Sequence, residues 1–268
     1  MPSRPPERIV CLTEETTETL YLLGEERRIA GISGYTVRPP QARREKPRVS
    51  AFLSARMEKI IDLKPDLVLG FSDLQADIAR DLAKAGLNVL LFNQRSVQEI
   101  LDMIGALAAI VGVPEKGARL VERLEGFLDE IRAAAARLPR RPRVYFEEWD
   151  EPMISAIRWV SELVEIAGGD DVFRPLSLSH SASGRTVADG NEVIRRSPDI
   201  IIGSWCGKKF RPERVAARPG WDALPAVRDR ELHEVKSSEI LQPGPAALTD
   251  GVKRLHAIVA GWAARRPA

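Results

Sequence analysis

Ile60-Ile61-Asp62-Leu63-Lys64-Pro65-Asp66-Leu67-Val68-Leu69-Gly70 is written a second time, 133 residues later, as Val193-Ile194-Arg195-Arg196-Ser197-Pro198-Asp199-Ile200-Ile201-Ile202-Gly203. Each copy reads as the end of a helix, a stop at Pro, and an apolar β-branched run suited to a buried parallel strand. Two halves of the chain are therefore expected to share one α/β architecture. An aromatic follows each strand, Phe71 in the first half and Trp205 in the second. Ligands of open α/β sheets gather outside the carboxyl ends of the strands. Two lobes with an aromatic at that edge predict a cleft for a flat or bulky apolar ligand; the alternative is that each aromatic only caps its own lobe.

The 268 residues suffice for two cores of ordinary size. Lys+Arg 40 against Asp+Glu 38, a formal charge of +2, argues against a nucleic-acid partner, which needs a dense basic face. No apolar stretch is long enough to span a membrane. The first strand, Arg8-Ile9-Val10-Cys11-Leu12, begins almost at once, so the chain as written is expected in the cytoplasm, or in the periplasm if a signal was removed. Two cysteines, Cys11 and Cys206, make no disulfide framework and are expected as buried structural thiols at strand ends.

Alternating patterns predict strands over 8–12, 29–32, 67–70 and 88–92, with helices over 16–23, 56–63, 74–85 and 97–111. This is an N-terminal α/β lobe of residues 1–113. Residues 114–139 predict a connecting helix of about 23 residues, roughly 35 Å long, a strut between lobes. A second α/β lobe, 140–268, follows with strands over 143–146, 199–203 and 232–235. Its helices are predicted over 158–167, 191–196, 211–217 and 245–263. Between them, Leu176 to Thr186 and Ser237 to Pro245 read as irregular ligand-contacting loops, the second carrying the candidate Glu239.

Two α/β lobes joined by one long helix, with a Pro-Asp-strand phrase in each, resemble the class III solute-binding proteins of ABC importers. The similarity is strongest to the cobalamin-binding branch, carried by Tyr35-Thr36-Val37-Arg38-Pro39-Pro40-Gln41-Ala42, by Val49-Ser50-Ala51-Phe52, by the run Met57 to Val68 and by Val164-Glu165-Ile166-Ala167-Gly168-Gly169. The resemblance implies two lobes with mostly parallel sheets and no catalytic role. It also implies a corrinoid such as cobalamin, bound rather than covalently attached, gripped between the lobes by aromatic and backbone contacts. Tyr35, Phe52 and Phe71 are then the wall of lobe one. In lobe two the position thirteen before Pro198, matching Phe52 before Pro65, is Arg185, a candidate contact that can stack on a ring or pair with a carboxylate or phosphate, against the alternative of a solvated loop charge; Trp149 and Trp205 are the candidates for the other half of the aromatic clamp.

The resemblance also implies docking to a permease through one carboxylate from each lobe, seven residues before each repeat's Pro. Glu58 fits, but its counterpart is Asn191, with Glu192 displaced by one position, so weak docking is expected. Glu14 and Glu15 follow the first strand, and Glu147, Glu148, Asp150 and Glu151 crowd the end of strand 143–146. If both sets face the cleft they favour a cation or a donor-rich amide periphery; Glu15 is a candidate contact, and the alternative for Glu14 and Glu15 is favourable placement at a helix N-terminus. His180, in the cleft-side loop, is a candidate for an axial bond to a chelated metal, against the alternative of an exposed loop histidine. His180, His233 and His256 fall in no triad or zinc spacing. The competing readings are a receptor for haem or a siderophore, and a two-lobed enzyme using the acidic cluster.

Overall fold

The computed structural model describes residues 4–265. The chain divides into two compact units. Unit one runs to Gln94 and takes in Gln98–Leu124; unit two is Arg95–Val97 with the chain from Glu125 onward.

Unit one contains β1 (Ile9–Cys11), α1 (Glu14–Leu22), β2 (Ile29–Ser33), α2 (Ala42–Glu45), β3 (Arg48–Ser50), α3 (Met57–Asp62), β4 (Leu67–Phe71), α4 (Ala76–Lys84), β5 (Val89–Phe92) and α5 (Val97–Ile110), whose first residue is assigned to unit two. The strands form one parallel sheet in the order β3-β2-β1-β4-β5, so every strand delivers its loop to the same edge. Helix α6 (Pro114–Ala135) crosses the boundary between the units at Leu124.

Unit two contains β6 (Arg143–Asp150), β7 (Met153–Ser155), α7 (Arg158–Ile166), β8 (Asp170–Asp171), α8 (Arg174–Ser177), α9 (Gly190–Arg196), β9 (Ile200–Gly203), α10 (Pro212–Ala216), α11 (Pro225–Arg228), β10 (Leu232–Glu234), α12 (Ser237–Ile240) and α13 (Val252–Ala264). Its sheet runs β10-β9-β6, with β8 parallel to the start of β6 and β7 antiparallel to its end. Ile200, Ile201 and Ile202 are all completely buried, as helices on both faces require. Each contributes about 1.5–3 kcal/mol of burial.

The repeated phrase does the same mechanical work twice. Lys64 (φ 48°) and Ser197 (φ 45°) take the left-handed conformation that ends α3 and α9, one residue ahead of each Pro. The Asp after the Pro then pins the neighbouring strand. The Asp66 carboxylate accepts from the backbone N–H of Glu7 (2.7 Å) and Arg8 (3.0 Å), and Asp199 accepts from the backbone N–H of Arg143 (2.8 Å). The register of β1 on β4, and of β6 on β9, is thus fixed at the amino end of the sheet.

Several elements differ from expectation for local reasons. β3, β7 and β8 lack the apolar run that marks a buried strand, being three, three and two residues long. The loops expected over Leu176 to Thr186 and Ser237 to Pro245 carry short helical turns, α8, Ser183–Arg185 and α12. The last helix opens as a π turn, Ala247–Gly251, where the Thr249 hydroxyl donates to the Pro245 carbonyl (2.8 Å) and competes with the helical ladder.

Candidate functional site

In each sheet the strand order reverses at the first strand, which places the crevice of interest outside β1 and β4 in unit one and outside β6 and β9 in unit two. In unit one this edge is apolar and open. Tyr35, Leu53 and Leu74, on the loops after β2, β3 and β4, are 57 %, 68 % and 57 % exposed. Phe52 is half-buried beside Leu53, while Phe71 ends β4 and is buried. Leu53 and Leu74 were missed from the sequence, because a lone Leu in a loop carries no periodicity.

Gln75 holds this wall in place. Its side-chain amide donates to the Phe52 carbonyl (2.9 Å) and its Oε1 accepts from the Phe71 N–H (3.0 Å), tying two loops together from a fully buried position. Room for it comes from Gly70, where a Cβ would approach Gln75 Oε1 and Leu91 Cδ2 to 2.7 Å each. The Gln75 side chain belongs to a polar turn in the sequence, and only the tertiary contact shows its role.

Glu14 and Glu15 lie in the first turn of α1, the helix N-terminus considered above. Burial raises Glu14 to about 7 and Glu15 to about 8. Thr13 Oγ1 donates to Glu15 Oε1 at 2.5 Å, while Glu15 Oε2 is buried with no partner in the described residues. A carboxyl kept protonated at neutral pH can both donate and accept. Beneath it Cys11 is buried, its thiol pushed up to about 12 by burial.

Unit two answers with a closed, ion-paired edge. Glu147 is completely buried and saturated: Arg218 donates to both oxygens (2.6 and 3.0 Å), and Tyr145 Oη and Trp205 Nε1 donate at 3.0 Å each. Trp205 therefore belongs to the core of this unit, edge-on to Phe210 at 5.0 Å between ring centroids. Trp149 is half-buried and donates to the Glu151 carbonyl (2.9 Å), with Lys208 Nζ 4.0 Å above its ring and 5.3 Å from that of Trp205. Lys208 also pairs with Asp150, whose carboxyl burial would raise but whose contact to Lys208 holds it below its ordinary value.

The expected acidic surface on this unit is corrected accordingly. Glu147 pairs with Arg218, Glu148 with Arg185, Asp150 with Lys208, and Glu151 with Arg214, so each carboxylate has its own cation. Arg185 is not a solvated loop charge: it is buried, donates to Glu148 (2.5 Å) and to the Ser155 carbonyl (2.7 Å), and keeps a buried Nε without a partner in the described residues. Cys206 likewise departs from expectation, being exposed.

The remaining candidates are scattered. His180 is exposed between α8 and the Ser183–Arg185 turn, and no group of three or more His, Cys, Asp or Glu among the described residues is arranged to hold a metal ion. Glu239, on α12, lies 3.9 Å from Arg254. Glu58 is exposed in the first turn of α3. Asn191 is exposed on α9, where Glu192 is engaged by Arg195 (2.5 Å) and Arg196 (2.7 Å). No helix among the described residues is long and apolar enough to cross a membrane.

The chain is similar to an uncharacterized ABC transporter substrate-binding lipoprotein, YvrC, of Bacillus subtilis, at 24 % identity over 94 % of this chain and 79 % of the relative. It is 27 % identical to the vitamin B12-binding protein of Vibrio cholerae, over 94 % of this chain and 88 % of that one. The fold matches the periplasmic heme-binding protein RhuT from Roseiflexus sp. RS-1 with a TM-score of 0.79 at 23 % identity, over 94 % of this chain and 99 % of the other. The family model described as periplasmic binding protein matches residues 9–239, and with the two-sheet architecture and its strand-end edges this establishes that the chain belongs to the periplasmic binding protein family.

Proposed function

We propose that the chain is a non-catalytic solute-binding protein for a corrinoid, which it delivers to an ABC importer. The observation that carries this reading is the exposed apolar wall of unit one, Tyr35, Phe52, Leu53 and Leu74, stapled by Gln75 at a strand-end crevice. A planar macrocycle offers matching apolar area, while Glu15 is buried and presents no surface to it. The B12-binding relative supports the same ligand class. In unit two Trp149 is the aromatic best placed to meet a ligand, because Trp205 is committed to the core; Glu239 and Arg185 remain candidate contacts, and His180 a candidate axial ligand.

Glu58 is the docking candidate, and the pairing of Glu192 with two arginines leaves unit two without a free carboxylate at the matching turn. The importer-linked lipoprotein relative favours delivery to an importer over carriage inside the cell. Haem is the second reading, favoured by the haem binder that shares the fold. Calorimetric titration of the purified chain with cobalamin, cobinamide and haem tests both. Saturable binding of either corrinoid supports the first reading; binding of haem alone supports the second.

A further inference from the structure

We propose that unit one carries a second binding site, for a phosphate-bearing anion, along the outer side of its edge strand β3. A cavity of about 860 Å³ lies there, entirely within residues 34–63. Its walls present Arg43 after the start of α2, Lys46 and Arg48 at the entry to β3, and Arg56 and Lys59 at the start of α3. Asp62 is the one carboxylate among the lining residues, leaving an excess of four positive charges. The Ser54 hydroxyl adds a donor and Val49 and Leu63 an apolar floor.

None of the five has an ion-pair partner among the described residues, and what distinguishes them is that all five line one cavity. Other exposed arginines are matched, as Arg80 is with Asp77 and Asp81 and Arg195 with Glu192 and Asp189, or stand unpaired on open surface, as Arg119 and Arg137 do, outside the lining of this cavity. Five like charges converging on one concavity repel one another, and the field they sum to there is relieved by a multiply charged anion. The three guanidinium and two ammonium groups are carried on or beside three separate elements, α2, β3 and α3, and arginine in particular forks onto phosphate oxygens.

Charge on an edge strand also has a simpler use, which is to block pairing with another chain. Here that task is already met by backbone. Ser50 bridges antiparallel to Ala55, the Arg56 N–H donates to the Val49 carbonyl (2.8 Å), and the Ala51 N–H donates to the Ser54 carbonyl (2.8 Å). The outer side of β3 is thus capped by its own following loop, and the cations surround a cavity rather than a bare edge.

The chemistry is shared by a free phosphate compound and by the headgroup of an anionic phospholipid. The test uses the full chain in low salt, titrated with inorganic pyrophosphate by calorimetry and floated with phosphatidylcholine vesicles with and without phosphatidylglycerol. The double variant Arg48→Glu/Lys59→Glu should weaken whichever binding is found at least about tenfold, and added salt should weaken it in the unaltered chain. The control Lys84→Glu/Arg119→Glu, the same charge change on α4 and α6, should leave it intact. Thermal midpoints of both variants verify folding. Binding of pyrophosphate alone identifies a free phosphate as the ligand; retention only on phosphatidylglycerol vesicles identifies a headgroup. Absence of both, or equal loss in the two variants, overturns the proposal. None of these residues lies in the apolar wall, so the result is independent of which solute the chain binds.

Discussion

Each unit buries a glutamate near the strand where its sheet order reverses, Glu15 in the first turn of α1 and Glu147 on β6 itself, and the two are treated in opposite ways. Glu15 in unit one has a hydroxyl partner for one oxygen and none for the other, and burial keeps it protonated at neutral pH. Glu147 in unit two receives four hydrogen bonds, two of them from Arg218. The repeat-equivalent glycines show the same divergence. Gly70 makes room for the Gln75 amide that braces an open apolar wall, whereas a Cβ on Gly203 would fall within the ring of Phe210, which seals the edge together with Trp205. One sheet edge is left available for a solute, and the other is filled from within. A duplicated architecture therefore fixes where a site can be, while the side chains that follow each strand decide whether it stays open.

The sharpest way to break the comparison is to unpair Glu147. Arg218→Ala strands a fully buried carboxylate and should destabilise the chain by about 3–5 kcal/mol in urea unfolding. Register places Leu12 of unit one where Glu147 stands in unit two, since Cys11 pairs with Leu69 and Glu147 with Gly203. Accordingly Glu147→Leu combined with Arg218→Met should recover part of that loss, the Tyr145 hydroxyl and Trp205 Nε1 being left without their acceptor. A double variant no more stable than Arg218→Ala would mean the carboxylate is not the source of the cost.

Glu15 should act in the reverse sense. Its folded pKa lies above the unfolded value, so between about pH 4.5 and pH 8 the folded chain holds a proton that the unfolded chain has lost, and stability falls as pH rises through that window. Above the folded pKa the penalty is constant. Glu15→Gln should remove the larger part of this slope, Glu14 with its pKa near 7 supplying the rest, and gain about 4 kcal/mol relative to the parent at pH 8, with little change at pH 4. An unaltered pH profile of unfolding would sink the assignment.

The open edge should matter to ligand and little to folding. Phe52→Ala and Leu53→Ala are each expected to weaken corrinoid binding by on the order of 1 kcal/mol, read by calorimetry, with small shifts in thermal midpoint. Trp205→Ala should do the opposite, lowering stability through lost core packing and one hydrogen bond fewer on Glu147 Oε1. The smallest effect belongs to the helix stops. Lys64→Gly and Ser197→Gly, at φ 48° and 45°, should each raise stability by about 0.5–1 kcal/mol, because glycine adopts that conformation without a Cβ penalty. A gain at only one position would show that the two repeats do not carry equal strain.

The architecture was legible because it is written in local terms. Helix end, Pro, Asp and apolar run each act within a few residues, and the same string appears twice, so α/β lobes with parallel strands follow from the periods and the stops. Phe71 and Tyr35 were also locatable, at and just after the carboxyl ends of strands that pattern sets, whereas Phe52 follows β3, which carries no such pattern, and only the family resemblance pointed to it. What the sequence could not determine is which polar and aromatic groups meet. Arg218 finds Glu147 across 71 residues and Trp205 finds it across 58, while Gln75 reaches back 23 residues to brace Phe52. Charge counted along the chain makes the end of β6 look acidic, yet every one of those carboxylates is neutralised by a cation brought from elsewhere. Periodicity is enforced by backbone geometry and survives in one dimension. Pairing of buried charges is enforced by the cost of leaving them unpaired, and that cost arises only once the fold has taken them out of water.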